Sequence, residues 1–304
     1  MTFKPSISIE AMRYDIKLTI DYIYESPAAG ARQILHVMPL AIEGRQRVIA
    51  GSIQIEPKPA MRQDRRDFFG NELTELAFTE PHSDITIVLK ARVEVTGSAA
   101  PGLSSPDLAG LASALQAETD LGPRSPLHFL AASPYAEPDR GIAAWARTHP
   151  QPGREVADIV AGLGLALHTE MRFDAEATTV NTPAAEAFAA RHGVCQDFTH
   201  IMIIALRSLG IPSGYVSGYL RTLPPPGKER LEGADAMHAW VSAWCGPETG
   251  WVEYDPTNAV FAGDGHVVVA HGRDYADLAP VRGAMRIAGG QTTDQYVDVI
   301  PVDD

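Results

Sequence analysis

His192-Gly193-Val194-Cys195-Gln196-Asp197-Phe198 runs without a break into Thr199-His200-Ile201-Met202-Ile203-Ile204-Ala205-Leu206-Arg207, so a cysteine stands at the glycine-preceded start of an apolar helical pattern. A helix N-terminus carries unpaired N–H groups and about half a positive charge, which favours a sulfur anion over a thiol. This helix is expected to end at Gly210, because Leu209-Gly210-Ile211-Pro212 joins a left-handed-permissive glycine to a proline stop. Upstream lie alanine-rich helical windows at about 107–118, 141–147, 154–170 and 183–191. Asn181-Thr182 before Pro183 reads as a helix cap, with Glu186 able to approach it. Downstream the period falls to two, through 214–220, 236–245, 251–255 and 295–302. Helices followed by strands imply an α+β unit with the cysteine helix packed on an antiparallel sheet, rather than alternating βαβ units.

Two of those strands carry the remaining chemistry. In Met237-His238-Ala239-Trp240-Val241 the alternation sets His238, Trp240, Ser242 and Trp244 on one face and Ala239, Val241, Ala243 and Cys245 on the other. The turn Gly246-Pro247-Glu248-Thr249-Gly250 then returns the chain through Trp251-Val252-Glu253-Tyr254-Asp255, bringing Asp255 back near the level of His238. Cysteine, histidine and aspartate in that order are the parts of an activated nucleophile: Cys195 attacks, His238 moves the proton, and Asp255 accepts the second imidazole N–H. Each residue also has a plainer reading, as a small core cysteine, a hydrogen-bonded core histidine and the first residue of an Asp-Pro-Thr-Asn turn. The backbone N–H of Cys195 is the natural first oxyanion donor. Gln196 points about 100° away on the helix and reads as a wall of the cleft, Asp197 as a first-turn acid and His200 as structural.

Residues from Met12 to about Thr96 differ in character. Tyr14, Ile16, Leu18, Ile20, Tyr22 and Tyr24 alternate with mostly polar neighbours, and similar runs follow at 33–38, 48–55, 73–78 and 85–95 between turn signals. An all-β N-terminal domain over residues 1–100 is expected, with a Pro/Gly-rich linker at about 97–106 and a catalytic domain over 101–304. The N-terminal strands carry no nucleophile or ligand cluster, which assigns that domain to packing, substrate placement or self-association.

The formal charge of −13, with 25 Lys+Arg against 38 Asp+Glu, and the lack of a basic run leave no footprint for nucleic acid. The longest nearly apolar stretch, residues 159–167, is far short of the ~20 residues of a membrane span, and the N-terminus lacks a secretory core. Cys195 and Cys245 are the only cysteines, too few for a disulfide framework, which fits a reducing, cytoplasmic setting. His266, His271 and Asp274 match no tight metal-ligand spacing, and Leu223–Arg230 reads as an exposed proline-rich loop. No cofactor and no metal is expected. The expected partner is a peptide or protein substrate, or a small amide, and homo-oligomerisation is left open.

Three blocks carry a resemblance. Gly193-Val194-Cys195-Gln196-Asp197-Phe198, Ala236-Met237-His238-Ala239-Trp240-Val241 and Gly250-Trp251-Val252-Glu253-Tyr254-Asp255-Pro256-Thr257-Asn258 closely resemble those of the bacterial transglutaminase-like superfamily. The segment from Gly272 to Gly283 and the β-rich N-terminal 100 or so residues look like parts of its two-domain members. The resemblance implies a papain-like transglutaminase core with Cys195 as nucleophile, His238 as general base and acid, and Asp255 as the orienting group. Members of the superfamily are variously transglutaminases, peptidases, amidases and inactive scaffolds, so thioester chemistry on peptide, isopeptide or carboxamide bonds is expected with either water or an amine as acceptor. Hydrolysis is favoured because the chain is small and without calcium loops, and a non-catalytic scaffold that keeps the fold is the contrasting expectation. The papain-like glutamine six residues before the nucleophile is absent, since that position is Ala189, and no calcium loop is present. Arylamine N-acetyltransferases share the order Cys, His, Asp but carry Arg-Gly-Gly before the cysteine, where this chain has Arg191-His192-Gly193-Val194.

Overall fold

Alternation in Tyr14, Ile16, Leu18 and Ile20 sends these side chains to one face of a strand, and all four are buried in the computed structural model, which describes residues 11–97, 104–149, 152–222 and 235–302. They belong to β1 (Ala11–Leu35), which the sequence divides into separate runs but which continues through irregular register between Ile23 and Ala28 and between Ala29 and Arg32. With β2 (Gln46–Glu56), β3 (Met61–Arg66), β4 (Glu72–Phe78) and β5 (His82–Thr96) it forms an antiparallel sheet in the order β2-β5-β1-β4-β3. β3, Met-Arg-Gln-Asp-Arg-Arg, is exposed throughout, and its charges guard an edge that shows no hydrophobic alternation.

Beyond the linker come α1 (Leu108–Ala117), α2 (Arg140–Ala146), α3 (Val156–Glu170), β6 (Arg172–Phe173), α4 (Ala184–Ala190), β7 (His192–Gly193) and α5 (Cys195–Ser208). Asp107 and Asp139 cap α1 and α2 by accepting the N–H groups of Gly110 and Ile142. The expected Asn181-Thr182 cap of α4 is not what forms. Pro183 itself is the N-cap, without a side-chain bond, and the Thr182 hydroxyl accepts the Thr179 N–H at 3.0 Å instead. Residues 98–103 of the linker and the loop at 223–230 lie outside the described residues; Pro106 and Ser105 dock the end of the linker onto the start of α3.

The second antiparallel sheet is built from β8 (Ser213–Leu220), β9 (Ala236–Trp244), β10 (Trp251–Asp255), β11 (Val260–Phe261) and β12 (His266–Gly272), in the order β11-β10-β9-β8-β12. α5 packs on β9 and β8, while α3 packs on β10, where Gly164 lets the Tyr254 ring approach: a Cβ there would lie 2.1 Å from Cε1. The fold is thus the expected helix-borne cysteine on an antiparallel sheet, preceded by a β-rich domain. β12 escapes the period-two reading because all its residues are buried, so Val267-Val268-Val269-Ala270 shows no polar face.

After α6 (Tyr275–Leu278) the chain returns to the first sheet. β13 (Val281–Arg286) pairs with the end of β1, and β14 (Gln291–Val302) pairs with its beginning, from Arg13↔Val302 to Tyr24↔Gln291. Sheet pairing therefore crosses the expected division at 97–106. The N-terminal domain also covers the outer edge of β12. Leu40 N–H donates to the Val268 carbonyl at 2.9 Å, Gln46 Oε1 accepts the Val268 N–H at 2.8 Å, and the Asn71 amide takes both the N–H and the carbonyl of His271. Among the described residues no helix is long and apolar enough to cross a membrane.

Candidate active site

The turn into α5 is fixed by the residue two places after the cysteine. Asp197 Oδ2 accepts the Val194 N–H at 2.8 Å and the Thr178 hydroxyl at 2.6 Å, so the carboxylate folds back over the helix start. That path runs across Gly193, where a Cβ would stand 2.6 Å from the same oxygen. Glycine is needed here for close approach, not for a left-handed backbone. Burial raises the Asp197 pKa, against the hydrogen bonds from Thr178 and Val194. Gln196 Nε2 donates to the Val180 carbonyl at 3.2 Å, so this amide ties the 174–182 segment to α5 and is engaged away from an oxyanion role. Cys195, first residue of the helix, is partly exposed.

His238 lies on β9 opposite Gly218, and its Nε2 stands 2.7 Å from Asp255 Oδ2 on the neighbouring β10. An ionised carboxylate only accepts, so Nε2 carries the hydrogen, and the Cys195 side chain stands close enough to the ring to act on its protonation. Burial works against the imidazolium, yet the bonds to Asp255 and then to Cys195 outweigh it and raise the His238 pKa to about 10. The structure thus brings Cys195, His238 and Asp255 together from one helix start and two paired strands.

Asp255 is fully enclosed and receives more than His238. Its Oδ1 accepts the N–H groups of Thr257 and Asn258 at 2.9 and 3.2 Å, so the turn role and the pairing with His238 are both real. Its Oδ2 also accepts Asn258 Nδ2 at 2.7 Å and lies 3.2 Å from His266 Nε2. His266 Nδ1 accepts the Gly263 N–H at 3.2 Å, which places the ring hydrogen on Nε2 and makes it a donor to Asp255. Burial alone would raise the Asp255 pKa; the hydrogen bonds from His238 and His266 override it and hold the carboxyl far below its ordinary range.

A second buried carboxylate stands two residues earlier on β10. Glu253 accepts Trp240 Nε1–H at 2.6 Å, faces His271 Nε2 at 3.1 Å, and is gripped by Arg45 of the N-terminal domain at 2.7 and 2.8 Å. Trp240 in turn meets the edge of His266, with ring centres 5.1 Å apart. The residues that hinted at a metal are therefore separated: His266 serves Asp255, His271 serves Glu253, and Asp274 caps α6 while accepting the Tyr135 N–H at 2.6 Å. His200 is structural in position, stacked on Tyr135 and buried, and burial followed by the field of Arg207 brings its pKa down to about 3. Trp251 donates to the Arg124 carbonyl at 3.0 Å and Trp244 is in the core. Sequence reasoning missed His266, Asn258 and Glu253 as parts of the site. Only Asn258 and Glu253 left a signal, by standing in the same strand-turn block as Asp255.

Comparison with known proteins covers both halves of the chain. Residues 14–94 match the bacterial transglutaminase-like N-terminal region, and residues 144–256, which include Cys195, His238 and Asp255, match the transglutaminase-like superfamily. An uncharacterized protein of Mycobacterium tuberculosis is 37% identical over 271 residues, covering 84% of this chain and 83% of its own length. One of Mycobacterium leprae is 32% identical over 293 residues, covering 91% and 95%. A protein-glutamine gamma-glutamyltransferase of Pseudomonas aeruginosa is 38% identical over 99 residues, which are 29% of this chain and 15% of that protein. Among solved structures, a Cytophaga hutchinsonii protein provisionally described as a cysteine protease superposes with a TM-score of 0.76 at 24% identity, covering 97% of this chain and 92% of that one. At that identity the likeness speaks for the fold.

Proposed function

The chain belongs to the transglutaminase-like superfamily, and from that premise we propose that it is a cysteine-dependent acyl-transfer enzyme acting on peptide, isopeptide or carboxamide bonds. The observation that carries this reading is His238 held between Cys195 and Asp255, with Nε2 committed to the carboxylate. The Cys195 sulfur adds to the carbonyl carbon, the C–N bond breaks, and His238 gives its proton to the departing amine. In the second half His238 takes a proton from water, whose oxygen displaces the sulfur and yields a carboxylic acid and free Cys195. The N–H of Cys195, at the start of α5, is the first donor to the developing oxyanion.

Water as acceptor needs only the groups already named. An amine acceptor requires in addition a site that holds the amine and keeps water out, and the partial likeness to a protein-glutamine gamma-glutamyltransferase supports that second reading. The two free thiols support a reducing compartment such as the cytoplasm.

The test is a library of peptides and carboxamides incubated with the full chain, with and without an added primary amine, and read by mass spectrometry. Hydrolysis gives the acid in both incubations, whereas transfer gives the amine adduct in one. Product must vanish in Cys195→Ala; product formed equally well by that variant would sink the proposal.

A further inference from the structure

The N-terminal domain, which the sequence leaves without a chemical role, sends one side chain under the catalytic sheet. Ile42 and Gln46 exchange backbone hydrogen bonds of 2.8 Å around a tight turn with Gly44 at φ +72, and Arg45 leaves its end. Both terminal nitrogens of Arg45 reach Glu253, one on each carboxylate oxygen. The Glu253 side chain is only 6% exposed, so this ion pair is formed away from bulk water. A charge in such a place needs its partner.

What Glu253 holds makes the pair more than a fastening between domains. Its Oε2 takes the Trp240 indole N–H, and the indole lies across Gly218, where a Cβ would come within 2.4 Å of the ring. Trp240 is two residues after His238 on β9, and Glu253 is two residues before Asp255 on β10. The ring thereby underlies His238 on one side and abuts His266, the second donor to Asp255, on the other. Building on the acyl-transfer reading, we propose that Arg45 is a positioning residue of the active site: by neutralising Glu253 it fixes Trp240 and sets the charge balance around His238. The N-terminal domain thus completes a site whose reacting groups all lie beyond it.

His238 is faced by Cys195 from α5, by Asp255 from β10 and by His266 from β12, with Asp197 and Tyr215 on the Cys195 side, while Glu253 reaches it through the Trp240 ring. Around Glu253 the charged or titratable groups are Arg45, His271 and, further off, Arg124. Removing the Arg45 cation leaves a net negative charge near the imidazolium and favours it; removing the Glu253 anion leaves a net positive charge and disfavours it. Removing both leaves the balance as it was. A role confined to packing gives no such opposition of sign.

The experiment is a pH titration of the full-length protein with 13Cε1-labelled histidines, the His238 resonance being assigned with His238→Gln. Glu253→Gln is expected to lower the His238 midpoint by about one pH unit and Arg45→Met to raise it, with Arg45→Met/Glu253→Gln restored to the wild-type position and Arg45→Lys close to it. An unmoved or raised midpoint in Glu253→Gln overturns the proposal, and that comparison with the double variant stands even if Arg45→Met fails to fold. Iodoacetamide labelling of the wild-type protein separates the two claims. Cys195 labelled no faster than Cys245 ends the acyl-transfer reading, whereas fast labelling with unmoved midpoints ends only the role of Arg45.

Discussion

Asp255→Asn is expected to lower turnover by roughly 10³–10⁴-fold, the scale on which a triad loses its orienting carboxylate. The cause here is specific. Oδ1 must stay an oxygen, because it accepts the fixed backbone N–H groups of Thr257 and Asn258, so the new NH2 replaces Oδ2. That NH2 then faces the donors His238 Nε2, His266 Nε2 and Asn258 Nδ2. His238 can answer only by turning its lone pair to the amide and its hydrogen toward Cys195, the wrong tautomer for taking a proton from sulfur. His266 cannot answer in the same way without losing the Gly263 N–H. The crowded carboxylate also implies an added stability cost of about 1–3 kcal/mol for donors left unpaired. Steady-state turnover per folded molecule, with folding followed by circular dichroism, checks both; undiminished turnover reduces Asp255 to its turn role.

The second large effect is on stability against pH. His238 has its folded pKa raised to about 10 from an unfolded value near 6.5, so its contribution is complete below about pH 6.5 and is lost as pH rises through 10. Asp255 and Glu253 run the other way. Their folded values are depressed, burial being overcome at Asp255 by the bonds from His238 and His266 and at Glu253 by the Arg45 charge and His271. They contribute above about pH 4 and lose that contribution as acid drives them through their folded values. The site therefore supports the fold most between about pH 4 and 6.5. Urea unfolding is expected to show the protein losing a few kcal/mol between about pH 6.5 and 10 relative to His238→Gln, in which this term is absent. Parallel pH profiles for the two proteins would show that His238 is not held as the structure indicates.

How much of this could be read beforehand follows from where each signal resides. Cys195 was legible because glycine, cysteine and an apolar helical run are contiguous, and His238 and Asp255 because a five-residue turn joins their strands. β12 was not, because burial on both faces removes the alternation by which a strand is recognised. β13 went unread, and β14, legible as a strand over 295–302, gave no sign of where it goes: the partner of both, β1, lies at the other end of the chain, and pairing across such a separation leaves no local mark. Arg45 is the clearest case. In sequence it is one exposed-looking cation in a glycine turn, and only the tertiary fold reveals the buried glutamate that it meets. His266 likewise gains its role from Asp255 and not from any spacing to His271 or Asp274.

The central claim is that Cys195 is a nucleophile activated by His238, and competitive alkylation of the two native cysteines at mildly acidic pH tests it most directly. Cys245 is the internal standard, buried among apolar groups with burial pushing its thiol up to about 12. Iodoacetamide should modify Cys195 well before Cys245 in the native protein, and the advantage should disappear in His238→Ala. Equal labelling of the two cysteines in the native protein, or a Cys195 rate untouched by His238→Ala, would contradict the account.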